Sequence, residues 1–598
     1  MEVIEAKILL KNLFARMEPQ EGGGYLLQGK LTDDEYAALR MAAGELDGGA
    51  MPSTGVAAPA GPAPRAPTPP PLPVYEPEPV PEPEPESAPE PAPGPAPVTK
   101  PVVTEPRLDI DASVLELPDA PENIRLCLDF GTAMSKATLV LDGASDDDDE
   151  TITVLHLGEY GDDIEDYKLH SAVYIDDDGK LWFGAEAEEY CGRDAPDGSR
   201  QVMDNIKHWL SLGQVDAEVD GKFNPTDIPV TYADIILAYL TFLTWSVNKA
   251  LENLEQPLGG YPRNLNRRFA MPCLSGADFR EVQYRLRKYL GEAQVLADTF
   301  FADLRKGLPL ERFVEAVRLL REGERREYKF MREGITEPLG VAGTLLNYYS
   351  EESHHMVVMV IDVGAGTTDF SVYRMHVNPE RDIRIAIEAA GSVDGVTEAG
   401  NHLDLALMGL ILKSCGIAPE QGIPDRFQWY LQRNIREFKE ELFDQREITI
   451  SHDGYEATIT LDQFLATPGV TDFKNALDQK MIGILESIDK DWVDLIGASP
   501  NIPYLIVALT GGGASLPMVR ELANRQIVVR GKQIRVVPAK SFPTWLEEAH
   551  SELELDYPRI AVSLGGARKK LIKQGGRAAA IAGGVTGRPV YDDPKYQW

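Results

Sequence analysis

The chain has 598 residues, 43% of them hydrophobic and 26% charged, and its 95 Asp and Glu against 59 Lys and Arg give a formal net charge of -36. That length and apolar content allow a large core and three or four domain-sized units, whereas so acidic a chain repels a phosphate backbone and discounts DNA and RNA as partners. The four cysteines, Cys127, Cys191, Cys273 and Cys415, lie far apart without a CxxC pair, the pattern of reduced cytoplasmic thiols rather than of a disulfide framework or a zinc site.

The opening MEVIEAKILLKNLFARMEP places acids beside Met1 and holds only a short apolar run, so no secretion signal is expected. Residues 1–48 read as a small module, with a strand in GYLLQGKL and then a helix whose Thr32 and Glu35 are spaced as a capping box. Residues 49–122, rich in Pro, Ala and Glu as in VYEPEPVPEPEPESAPEPAP, read as a disordered linker. Alternate prolines favour extended polyproline II there, and the glutamates repel one another.

From Ile124 onward β-rich runs alternate with amphipathic helical patterns, which predicts an α/β fold. IRLCLDFGTAMSKATLVLD has an apolar strand ending at Asp129, a turn through Gly131, Thr132 and Ala133, and a returning strand. The acidic runs Asp146 to Glu150 and Asp176 to Asp178 lack the ligand order of a calcium loop and read as exposed hairpin turns. Ile235 to Val247 reads as a buried helix, being shorter than the roughly 20 residues that span a bilayer and interrupted by Thr241, Thr244 and Ser246. No membrane association is expected.

The hairpin design recurs in VVMVIDVGAGTTDFSVYRM, where a strand reaches Asp362, turns through Gly364, Ala365 and Gly366, and leaves through Thr367 and Thr368 past Asp369. Two such hairpins imply an internal duplication. Glycines let backbone amides approach phosphate closely, and the neighbouring threonine hydroxyls add donors. The aspartates suit Mg2+ held through water, since that ion keeps several waters and uses few carboxylates. These turns lead into strands, unlike a Walker loop, which opens a helix after a Gly-Lys-Ser/Thr ending. The third element, IPYLIVALTGGGASLPMVREL, is a buried strand, the run Gly511, Gly512 and Gly513, and a helix with Pro517 in its first turn, a place for a flat ligand.

In this order the three elements resemble the actin-like ATPase superfamily, over roughly 124–571. Further segments resemble its DnaK-type heat shock protein 70 family: SAVYIDDDGKLWFGAEA, IKHWL with Lys207, ITEPLGVA with Glu337 and Pro338, and YPRIAVSLGGA. The resemblance implies a two-lobed fold of duplicated ribonuclease-H-like lobes, over 123–352 and 353–575, followed by a tail at 576–598. It implies ATP or ADP with Mg2+ as ligands, Lys207 neutralising charge at the transferred phosphoryl group, and Glu337 holding metal-bound water. Thr132 and Thr367 would contact phosphate. Asp362 would orient the attacking water, with Asp369 as alternate, and Asp129, Asp362 and Asp369 would face the metal. The base and ribose would lie among Gly400, Asn401, Arg436, Lys439, Glu440, Gly511 to Gly513 and Ser515.

The spacing of Arg436, Lys439 and Glu440 is closer to actin, Ala133 replaces a frequent threonine, and Ser515 stands where chaperones have an adenine-stacking arginine. Residues 301–334 read as an inserted helical stretch able to dock a protein partner, and the chain ends too soon after Ala567 for the chaperones' peptide-binding domain. The expected function is slow hydrolysis of ATP to ADP and phosphate by a cytoplasmic, chaperone-like protein. Nucleotide state would pass to a partner or client through residues 1–48 or the insertion. The alternative is an actin-like polymer subunit.

Overall fold

The computed structural model describes residues 17–19, 25–27 and 108–576, apart from short segments at 144–149, 159–166, 196–197, 205, 213–214, 255–259, 272, 274–275, 323–325, 347–352, 382, 418–422 and 499–501. The chain divides into two compact units, Met1–Val102 and Val103–Trp598. In the first, Met17–Pro19 pairs antiparallel with Tyr25–Leu27, the expected strand. The helix expected after Thr32, the linker as far as 107 and the tail from 577 lie outside the described residues.

The second unit is mixed α/β and is built on two sheets of matching topology. The first contains β1 (Ile124–Asp129), β2 (Met134–Leu141), β3 (Thr151–Val154), β4 (Asn266–Met271) and β5 (Met331–Thr336) in the order β5-β4-β1-β2-β3. The second contains β6 (His354–Val363), β7 (Thr368–Asn378), β8 (Ile383–Ala389), β9 (Leu505–Thr510) and β10 (Lys532–Pro538) in the order β10-β9-β6-β7-β8. In both, the first three strands run antiparallel and the last two lie parallel to the first. Central strands covered on both faces need near-continuous apolar sequence. β1 is accordingly buried at every residue, and so is β6 from Val357 on.

Helices α1 (Gly184–Asp194), α2 (Ile206–Leu212), α3 (Tyr232–Asn253), α4 (Gly276–Thr299) and α5 (Leu310–Glu322) lie in the chain between β3 and β5. Thr231 and Asp234 form a capping box that starts α3, whose expected buried stretch is buried at every residue from Ile235 to Val247. Among the described residues no helix is long and apolar enough to cross a membrane.

Two further helices, α6 (Glu337–Leu345) and α10 (Tyr557–Ala567), cross between the sheets; α7 (Gly400–Ser414), α8 (Asp425–Gln445) and α9 (Pro517–Arg520) flank the second. A Cβ at Gly565 would overlap the carbonyl oxygen of Gly340, so the crossing of α6 and α10 is backbone against backbone. Arg568 then donates to the carbonyls of Gly343 in α6 and of Leu346 just past its end, both at 2.9 Å, and pairs with Glu150 at 2.8 Å. Cations at helix C-termini offset the unpaired carbonyls there.

Three expected boundaries change. The body begins before 123, because Leu108, Ile110 and the buried Val114 pack into the first core and Asn264 donates to the Pro118 carbonyl at 2.8 Å. The expected halves exchange material, since α10 lies on the first sheet, with Thr138 Oγ1 2.8 Å from Ser563 Oγ. The 301–334 stretch is no appendage: Phe313, Ala316, Val317 and Leu320 of α5 are buried, and the stretch runs into β5, an integral strand. Its apolar periodicity is used internally, which leaves only an outer face with Glu311, Glu315 and Arg318. In the acidic run at 176–178 only Asp177 and Asp178 are exposed; Asp176 turns inward and accepts from Trp182 Nε1 at 2.8 Å.

Candidate functional site

The turns after β1 and β6 face each other. A Cβ at Gly366 would lie 3.0 Å from the Thr132 hydroxyl, so a larger residue there would have to push the Thr132 side chain aside. The first turn is held from behind: Ser171 donates its amide to Ala133 O at 2.8 Å and its hydroxyl to Gly131 O at 2.9 Å, while Tyr239 donates to Ser135 Oγ at 2.9 Å. In the second turn the Gly364 amide donates to Thr367 O at 3.0 Å. The start of α7 is spent on this turn, with Gly400 N donating to Gly364 O at 3.0 Å and Asn401 N to Ala365 O at 2.8 Å.

Cross-strand register sets the charges at the hairpin roots. Asp362 stands opposite Asp369, and at the equivalent position Asp129 stands opposite Lys136. Lys136 Nζ is 3.5 Å from Asp129 Oδ2. Asp369 accepts from the Thr367 hydroxyl at 2.8 Å and the Cys273 amide at 3.2 Å. Lys207, on α2, is 5% exposed and forms an ion pair with Glu337 at the start of α6.

Burial and then the charges of Asp369 and Asp129 push the Asp362 carboxyl up to about 7, against the pull of Lys136 and Lys207. Burial also raises Asp369, opposed by the Thr367 hydroxyl, Lys207 and the Cys273 amide. The Lys207 ammonium is lowered by burial, while Asp129, Asp369 and Asp362 favour its charge. Three acids and two lysines thus act on one another in a space shielded from water.

The expected nucleoside contacts are placed less uniformly. Thr368 is fully buried and donates to Glu398 O at 2.7 Å, facing away from the turn because side chains alternate along β7. Gly511 has φ of 81° and its amide donates to Pro558 O at 3.0 Å; the Gly513 amide donates to Val363 O at 3.0 Å. These two amides anchor the turn rather than offer themselves to a ligand. Gly512, Ser515 and Glu440 are exposed. On α8, Lys439 turns inward to pair with Asp404, while Arg436, more than a third exposed, reaches Asp204.

Sequence reading missed Lys136, Ser171 and Tyr239. The offset that pairs Asp362 with Asp369 would have found Lys136, since it pairs Asp129 with that residue. Nothing in the local sequence marks Ser171 or Tyr239. Among the described residues no three His, Cys, Asp or Glu side chains are placed to hold a metal ion directly. The donor set at the turns is oxygen from carboxylates and hydroxyls, which fits a hard cation that keeps its waters. No protein-family model matches the chain, and no curated protein sequence matches it.

Proposed function

We propose that the chain binds Mg-ATP between two actin-like lobes and hydrolyses it slowly, as a chaperone-like ATPase of heat shock protein 70 type that signals nucleotide state to a protein partner. The observation that carries this reading is the meeting of two equivalent hairpin turns, at Thr132 and Gly366, with Asp129, Asp362 and Asp369 around Lys207. The strand order and sense shared by the two sheets support duplicated ribonuclease-H-like lobes.

Phosphates on the two turns would meet the hydroxyls of Thr132 and Thr367, with Lys136 and Lys207 offsetting negative charge. Bound Mg2+ supplies further charge neutralisation at the phosphate oxygens, through water on Asp129, Asp362 and Asp369. Asp362, with its carboxyl near 7, accepts a hydrogen bond from the attacking water. Asp369 is held still by Thr367 and Cys273. Glu337 keeps Lys207 aimed at the turns. Positioning and charge stabilisation dominate phosphoryl transfer, so no stronger base is required.

A second reading, a nucleotide-dependent polymer subunit, is favoured by the actin-like spacing of Arg436, Lys439 and Glu440 on α8. ATP-dependent sedimentation separates the two. Calorimetry with Mg-ATP and Mg-ADP, followed by phosphate release without added acceptor, tests the main proposal. Absence of binding at millimolar nucleotide would sink it.

A further inference from the structure

Asp404 lies on α7 and is 6% exposed. Its Oδ1 is 2.6 Å from Lys439 Nζ, and its Oδ2 is 4.0 Å from Arg436 Nε. Lys439 also donates to Gly400 O at 3.1 Å, and the Gly400 amide donates to Gly364 O at 3.0 Å. In the other direction Arg436 reaches Asp204 Oδ2 at 3.4 Å, in the segment that leads into α2 and Lys207. One buried carboxylate therefore pairs with two of the four cations of α8, and Lys439 ties the pair to the start of α7, which packs on the second phosphate turn.

A buried ion pair is a poor way to stabilise a helix contact, because desolvation offsets much of the attraction. It is a good way to fix the geometry of long, rotamer-rich side chains before a ligand arrives. Lys439 stands over the start of α7, whose first amides hold the phosphate turn, the side on which the family resemblance puts the ribose and base.

We propose that Asp404 is a positioning residue for the nucleoside half of the ligand, holding Arg436 and Lys439 at the ribose and base; this rests on the Mg-ATP reading. The chain then prefers a nucleoside triphosphate over a bare polyphosphate chain, and Asp404 sets much of that preference. The test is calorimetry with Mg-ATP and with magnesium tripolyphosphate on the full chain. Asp404→Asn should weaken ATP about tenfold, the loss of one charge-assisted contact, and leave tripolyphosphate within about twofold. Because a lone buried lysine could unfold the protein, Asp404→Leu with Lys439→Met removes the pair together. This double variant should melt near the wild type yet lose its preference for ATP. Unchanged ATP affinity in Asp404→Asn, equal losses for both ligands, or a double variant that keeps the preference would overturn the assignment. Wild-type protein that binds neither ligand overturns the nucleotide reading, and this proposal with it.

Discussion

Asp362→Asn should stabilise the nucleotide-free protein while ending hydrolysis. The carboxyl is 6% exposed, faces Asp369 across the hairpin and is raised from 3.8 to about 7 by burial, Asp369 and Asp129. Each pKa unit is worth about 1.4 kcal/mol, so holding Asp362 ionised above its folded pKa costs on the order of 4 kcal/mol at most. An amide at this site still needs partners, and Lys136 and Lys207 lose an attraction. The net gain should be on the order of 2 kcal/mol, or roughly 2 °C in Tm for a body of this size. A folded pKa above the unfolded one means the native state binds the extra proton between about pH 4 and 7, so stability rises as pH falls through that window. The variant's advantage is then greatest at pH 8 and gone near pH 4. Scanning calorimetry in EDTA at pH 8 and pH 4.5 reads it directly. A lower Tm at pH 8, or the same increment at both values, refutes the argument that the acids repel one another in a dry site.

Lys207→Ala should slow single-turnover hydrolysis on the order of a hundredfold while nucleotide affinity changes little; equal rates would show that Lys207 does not face the transferred phosphoryl group. Gly565→Ala should destabilise the body by about 1–3 kcal/mol, because its methyl meets the Gly340 carbonyl, and urea melts with an unchanged midpoint would contradict the backbone crossing. Removing 1–122 should lower Tm by several degrees relative to removing 1–107, since only the longer deletion strips Leu108, Ile110 and Val114 from the first core; matching melts would return residues 108–122 to the linker.

The sequence by itself determined the local parts of this protein. Apolar runs ending in Asp-x-Gly locate both hairpins, because strand, turn and return are near neighbours in the chain and cross-strand register follows from the two-residue period. The buried α3 and the start of α9 at Pro517 were legible for similar reasons. What depends on distant packing was not. The approach of Thr132 to Gly366 joins residues far apart in the chain, as does the crossing of α6 and α10 at Gly340 and Gly565. The 301–334 stretch looked like an addition, yet its end is a sheet strand, a role decided by the parallel pairing of β5 with β4. Glycine runs announce turns but not where their amides go, so the capture of Gly511 by Pro558 and of Gly513 by Val363 was invisible in the chain. Charge followed the same rule: lysines are ordinarily solvated, and only the tertiary fold took water from Lys207 and gave it Glu337 and three aspartates instead.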